Sequence, residues 1–309
     1  MHKANQLGVV GILWKSFITG IGYVLLVMIG DTLTRLVGLS APIMAGMSGK
    51  VTPNQMLFNL FLSGVLIGLI LGPLSLKLPL SHGRRMGILF FILYGINSVI
   101  IIVETIFFTT TPLLGQIYTL VSNAISSAGM ASLLAMLFRP GESNLLFSTA
   151  LREAVAQRSW VSNLWRFGLA GFLYLPIFFL FGLLSQPFVR TYYEDPSYGI
   201  NQLFSIPGAE VIFPLEIVRG YLFVLLVYPL IAILGRNMSR WRQSFWIALV
   251  LASLSGWVPM LIASFFPLPF RLIHGLEVTI DSIVQSVVIV WLLGFDIDKD
   301  NQRMDAASL

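Results

Sequence analysis

The chain has 309 residues, of which 56% are hydrophobic and 11% charged, with a net charge of +5 and a mean hydropathy of +0.85. A soluble domain carries about 25% charged residues, so a soluble globular, disordered or collagen-like chain is excluded. There is no cysteine, which removes disulfides, thiolate metal ligands and a cysteine nucleophile.

A helix needs about 20 mostly apolar residues to cross a hydrocarbon core of about 30 Å. Eight segments qualify: 8–30, 57–79, 86–108, 112–138, 166–188, 212–234, 243–265 and 271–295. The first begins after Lys3 in the manner of a signal peptide, but it is long for one and contains Lys15, so it reads as an uncleaved span. Thr109, Thr110, Thr111 and Pro112 mark a tight turn between the third and fourth. Three further segments are not spans. Residues 31–56 are an outer loop whose apolar stretch Leu36–Met47 suggests an interfacial piece. Residues 142–165 read as a cytoplasmic amphipathic helix on the membrane, with Phe147, Ala150, Leu151 and Ala154 on its apolar face and Trp160 and Trp165 at headgroup level. Residues 189–211 form an outer loop, and 296–309 a cytoplasmic tail too short for a core.

The expected fold is therefore all-α: one polytopic membrane domain over 1–309, a bundle of about eight transmembrane helices with one cytoplasmic interfacial helix. With the N-terminus inside, fourteen Lys and Arg fall on the inner side and four on the outer. This bias predicts both termini in the cytoplasm, and the chain resembles the multi-pass proteins of bacterial inner membranes, its expected location. The basic residues sit in short loops between apolar runs, so the expected partner is the lipid bilayer and not nucleic acid. No sequence repeat is evident, although four plus four spans leave room for a structural one.

Ionisable groups at membrane depth are costly and mark candidate sites. The last span carries Arg271, His274, Glu277, Asp281 and Gln285 at offsets of three, three, four and four. At about 100° per residue they form one stripe, which climbs about 21 Å along the helix. Glu104 and Asn97 share a face of the third span, and Glu216 and Arg219 open the sixth at ion-pair spacing. Asn59, Gln116 and Asn123 are further polar groups, with interhelical hydrogen bonding as their ordinary role. Under the predicted topology, Asn59, Glu104, Gln116, Glu216, Arg219, His274 and Glu277 lie in the outer half. This implies a polar cavity open to the outside. In the seventh span, Pro259 follows Ser253, Ser255 and Gly256 and predicts a kink.

Glu104, Glu216, Arg219, His274, Glu277 and Asp281 form the candidate site for substrate or ion binding. Burial and mutual repulsion favour protonation of such carboxylates, which suits a secondary transporter moving a small solute, proton or cation. The same groups offer oxygen and imidazole ligands, so the second reading is a membrane-embedded enzyme, a metal-dependent hydrolase being one form of it, that acts on a lipid-linked or peptide substrate with His274 or Glu277 as the acid–base group. A non-catalytic assembly subunit docking through 189–211 is the third. No cofactor is specified by any motif: a P-loop, a Gly-rich dinucleotide fingerprint and a Gly-x-Ser-x-Gly elbow are all missing.

Pro214-Leu215-Glu216-Ile217-Val218-Arg219-Gly220 resembles the Glu-Glu-x-x-x-Arg-Gly motif of CAAX-type intramembrane proteases, which also have about eight spans. The resemblance covers seven residues and departs from the motif. One Glu is missing, Glu216 precedes Arg219 by three positions instead of four, and the family's later histidine motifs have no match.

Overall fold

The computed structural model describes residues 8–295 apart from 40–50, 142–144, 199, 201–203 and 206. The expected interfacial piece and the tail fall largely or wholly outside these residues. Eight helices are long and apolar enough to cross a membrane: Val9–Leu36, Pro53–Leu76, His82–Phe108, Leu113–Leu137, Trp160–Glu194, Ala209–Leu234, Arg240–Ile262 and Leu268–Leu293. Among the described residues only two isolated bridge pairs interrupt an all-helical chain, Leu80 with Leu145 and Thr109 with Phe204. The protein is an all-α polytopic bundle.

Local chemistry sets the helix ends. The first span, α1 (Val9–Leu36), runs past the predicted boundary at residue 30, and Arg35 pairs with Asp31 in its last turn. The second, α2 (Pro53–Leu76), starts with Pro53 at its first position and the Thr52 hydroxyl accepting from the Gln55 N–H. The third is broken into α3 (His82–Tyr94), a π turn over Gly95–Ile100, and α4 (Ile101–Phe108). The fourth is α5 (Leu113–Leu137).

The segment 142–165 departs from expectation. It is not one helix: α6 (Phe147–Ala156) stops, and Ser159 caps a new helix, α7 (Trp160–Phe172), by accepting from the Ser162 N–H. Trp160 and Trp165 therefore belong to the fifth span. Ala150 and Ala154 are fully buried, because the apolar face of α6 packs on the sixth span and not on lipid. A Glu153–Arg236 ion pair holds it there. The fifth span continues as α8 (Tyr174–Glu194), offset from α7 at Leu173. Pro176, which lacks an N–H, falls just after this break.

The sixth span is α9 (Ala209–Leu234). The seventh repeats the architecture of the third: α10 (Arg240–Leu251), a π turn over Ala252–Trp257, and α11 (Val258–Ile262). Pro259 falls in the first turn of α11, after the π turn, so the interruption expected at the proline begins several residues earlier. The eighth span is α12 (Leu268–Leu293).

The packing resolves into two groups of four spans with one pattern. Span one lies against two and four, span three against four, and span two touches three and four; one and three share no substantial contact. Spans five to eight repeat each of these relations in order. Between the groups, span two packs on seven as span six packs on three, and three meets seven through their π turns. Exchanging the two groups leaves the pattern unchanged.

Individual residues occupy equivalent places. Gly64 presses on Gly20 and Tyr23 of span one, while Gly220 presses on Gly171 and Tyr174 of span five. Lys15 donates to the last-turn carbonyl of Leu137 in span four, and Arg166 to that of Leu292 in span eight. Phe138 and Phe295, one just past each of these two helices, are both buried. Arg85 and Gln243, each four residues after a serine that precedes its helix, donate to carbonyls five residues back and to the chain at the end of the neighbouring span. Four spans per unit give both units the same direction, so their relating axis runs along the bundle.

Candidate functional site

A cavity of about 40 Å³ lies in the second group, between spans five, six, seven and eight, with span three closing one side. The stripe on α12 forms one wall. Its opposite face, with Leu272, Leu276, Ile280 and Ile283, is exposed as a lipid-facing surface must be, whereas Asp281 and Gln285 are buried. His274, Glu277, Asp281, Ser282 and Gln285 line the cavity from α12, Arg219 and Phe223 from α9, Tyr174 and Phe178 from α8, Ser255 from the second π turn, and Glu104 from α4.

Arg219 is the centre of charge. Its Nη1 donates to both carboxylate oxygens of Glu216 at 2.8 Å, and its Nη2 lies 3.1 Å from Glu104 Oε2. The Tyr174 and Phe178 rings flank the guanidinium at 5.8 and 5.9 Å, a cation–π arrangement. Glu216 is fully buried behind Arg219 and does not reach the cavity wall, because three residues along one helix place its carboxylate directly beneath that guanidinium. His274 Nδ1 lies 3.1 Å from Glu277 Oε2. Arg271 makes a long contact of 3.5 Å to the Met260 carbonyl and does not line the cavity.

Asp281 stands apart. It is 6% exposed, and among the described residues no cation lies within ion-pair distance of it. Its polar contacts among the described residues are with Ser282, through the backbone N–H and through Oγ at 3.4 Å. Two buried polar atoms on lining residues lack a protein partner, Arg219 Nε and Gln285 Oε1. Three carboxylates, Glu104, Glu277 and Asp281, thus share the wall with Arg219 and His274 around a space that fits about three waters.

The structure brings Glu104, Arg219, His274, Glu277 and Asp281 to one cavity, with Glu216 behind it. Asn59, Gln116 and Asn123 lie elsewhere, in the first group of spans, where Asn59 Nδ2 and Gln116 Oε1 are buried without partners. Tyr174 and Phe178 were not foreseen, and Ser255 was read only as part of the kink in the seventh span. Tyr174 and Phe178, four apart on one helix face, are the signal that could have found the aromatic wall.

Aromatic rings border the His274 end of the site. Phe270, one turn before His274, stacks over the imidazole at 6.0 Å, and Tyr192 and Tyr193 meet Phe270 at 5.9 and 5.5 Å. Phe204 packs on Phe266, and Ser205 donates its N–H to the Phe108 carbonyl at the end of the third span. Tyr192 and Tyr193 lie on the last turn of α8, which runs past the start of the predicted loop 189–211, and they and Phe204 are turned onto the bundle. Glu104 and His274 on the cavity wall nevertheless remain about one-third exposed, at 34% and 33%. Among the described residues, no three His, Cys, Asp or Glu side chains are grouped so as to hold a metal.

No known protein family, no curated protein and no solved structure matches the chain.

Proposed function

We propose that this integral membrane protein is a secondary transporter whose coupling ion, a proton or a small cation, binds at Asp281 with Glu277 and His274 beside it. The observation that carries this reading is a buried carboxylate without a cationic partner, facing a small polar cavity at membrane depth. An ionised carboxylate in such a place is costly until a proton or cation joins it. That makes it a reversible binding site instead of a fixed ion pair. Glu104, Arg219 and Glu216 are already mutually satisfied and serve as the framework, with Arg219 offering its free Nε to an anionic solute group. The aromatic cluster acts as the outer gate. The two four-span units, touching through their π turns, supply the two bodies that alternating access requires.

The test is ion-driven proton movement in proteoliposomes with an internal pH dye, using gradients of Na⁺, K⁺, Mg²⁺ and Mn²⁺ in turn. One of these gradients is expected to drive proton flux, and Asp281→Asn is expected to abolish it while the protein still purifies as a folded species. Flux that is absent for every ion, or equal in wild type and Asp281→Asn, overturns the proposal.

The orientation belongs to the same reading. Both termini are proposed to face the cytoplasm, with the basic span ends inside and the aromatic cluster outside. A phosphatase or fluorescent reporter fused at Asp305 is expected to report a cytoplasmic location; a periplasmic signal would reverse the direction of the site.

A further inference from the structure

A second cavity lies at the basic end of the first group, far along the bundle from the aromatic cluster. It is a groove of about 500 Å³ lined by Leu80, His82, Arg85, Met136, Arg139, Pro140 and Gly141. Arg85 is 4% exposed, and its Nη1 and Nη2 donate to the carbonyls of Leu80 and Ala135 at 3.0 and 2.8 Å. Its Nε is buried with no partner. Arg139 donates its Nε to the Met136 carbonyl and lies close enough to act on Arg85 as a like charge. Neither guanidinium has a carboxylate within ion-pair distance among the described residues, although such a buried charge ordinarily has one.

The internal repeat supplies a control. Gln243 stands where Arg85 stands in the other unit, and its neutral amide donates to the Met238 and Phe295 carbonyls at 2.8 Å each. Tying a span end to its neighbour therefore needs no positive charge. The charge at Arg85 is an addition, paired in space with Arg139 and, when protonated, His82. The groove also receives the N-terminus of α3, a 13-residue helix whose preceding Ser81 makes no side-chain cap. Uncapped N–H groups and the positive end of the helix dipole add to the same anion-attracting field.

We infer that this groove binds the phosphate of an anionic lipid headgroup, held by Arg85 and Arg139 at the basic end of the bundle. The position favours a lipid: the groove opens where the third span begins and the fourth ends, at the level where headgroups lie. Two guanidiniums and a helix N-terminus match the charge and acceptor geometry of a phosphate diester.

The experiment titrates the full-length detergent-solubilised protein with short-chain phosphatidylglycerol and, separately, phosphatidylcholine. Binding is read by native mass spectrometry and thermal stabilisation. The Arg85→Gln variant installs the side chain that the other unit already uses, so the carbonyl ties survive while the charge goes. Phosphatidylglycerol is expected to bind about tenfold more weakly to Arg85→Gln and to Arg139→Gln, with phosphatidylcholine unchanged. Arg139 is exposed, so its variant decides the matter should Arg85→Gln fail to fold. Undiminished phosphatidylglycerol binding in Arg139→Gln and in folded Arg85→Gln overturns the site. Displacement of the lipid by millimolar inorganic phosphate would overturn the lipid assignment in favour of a soluble phosphate.

Discussion

Replacing Arg219 with Met is expected to destabilise the protein more than any other single change at the site. Glu216 is fully buried, and Arg219 is the cation within ion-pair distance of both it and Glu104. Removing one member of a buried charge group leaves the others uncompensated, at a cost of about 3–5 kcal/mol. The Arg219→Met, Glu216→Gln double variant removes one of those stranded charges and is expected to recover a large part of the loss. Unfolding in mixed detergent, followed by tryptophan fluorescence, measures both. If Arg219→Met unfolds at the wild-type midpoint, the guanidinium is not the keystone described above. If the double variant is no more stable than the single, the cost lies in lost packing against Tyr174 and Phe178 instead of in charge.

The second large effect is steric. A Cβ added at Gly220 would lie 2.1 Å from the Gly171 carbonyl oxygen and 2.7 Å from Tyr174 Cβ. Neither neighbour is the far end of a flexible side chain, so Gly220→Ala must push spans five and six apart. Overpacking of this kind costs about 1–3 kcal/mol, or more where backbone has to move. Because Tyr174 stacks on Arg219, the same shift should disturb ion binding. Gly87 and Gly168 are the comparison: both are helical, and a Cβ at either meets nothing within 4 Å. Alanine there should be neutral or stabilising by up to about 1 kcal/mol from helix propensity. Thermal midpoints that fail to separate Gly220→Ala from Gly87→Ala would refute the close helix contact.

The sequence reading reached some of these features and missed others, for physical reasons. Long apolar runs report spans directly, because a membrane helix cannot hide its backbone any other way. The stripe from His274 to Gln285 was legible because helical periodicity gives the angular face of each residue. Height within the bilayer also follows from counting residues. Neither quantity says which neighbour a face meets. Asn59 and Gln116 share their proposed height with the site but belong to the other unit. The aromatic cluster was hidden for the same reason, since Tyr193 on α8 and Phe270 on α12 are far apart in sequence and meet only through the packing of these two helices. The repeat is hard to read in the sequence because its identical residues, such as Gly20 and Gly171 or Tyr23 and Tyr174, are few and widely spaced, and other equivalent places differ: Lys15 and Arg166, Arg85 and Gln243. What the two units share is geometry, hydrogen-bond role and a few scattered identities such as Tyr23 and Tyr174.

The π turns carry one more consequence. A π turn is what a single residue inserted into an α-helix produces, a local bulge that leaves the flanking helices intact. Everything beyond the bulge is rotated by about 100° relative to an uninterrupted helix. Glu104 lies four residues past the first bulge, so its approach to Arg219 is a matter of helical phase. Deleting one residue from Gly95–Ile100 would swing Glu104 off the guanidinium while leaving α3 in place. One inserted residue at matching places in both units is the expected trace of an insertion made once, in a four-span ancestor, and copied when that ancestor was doubled.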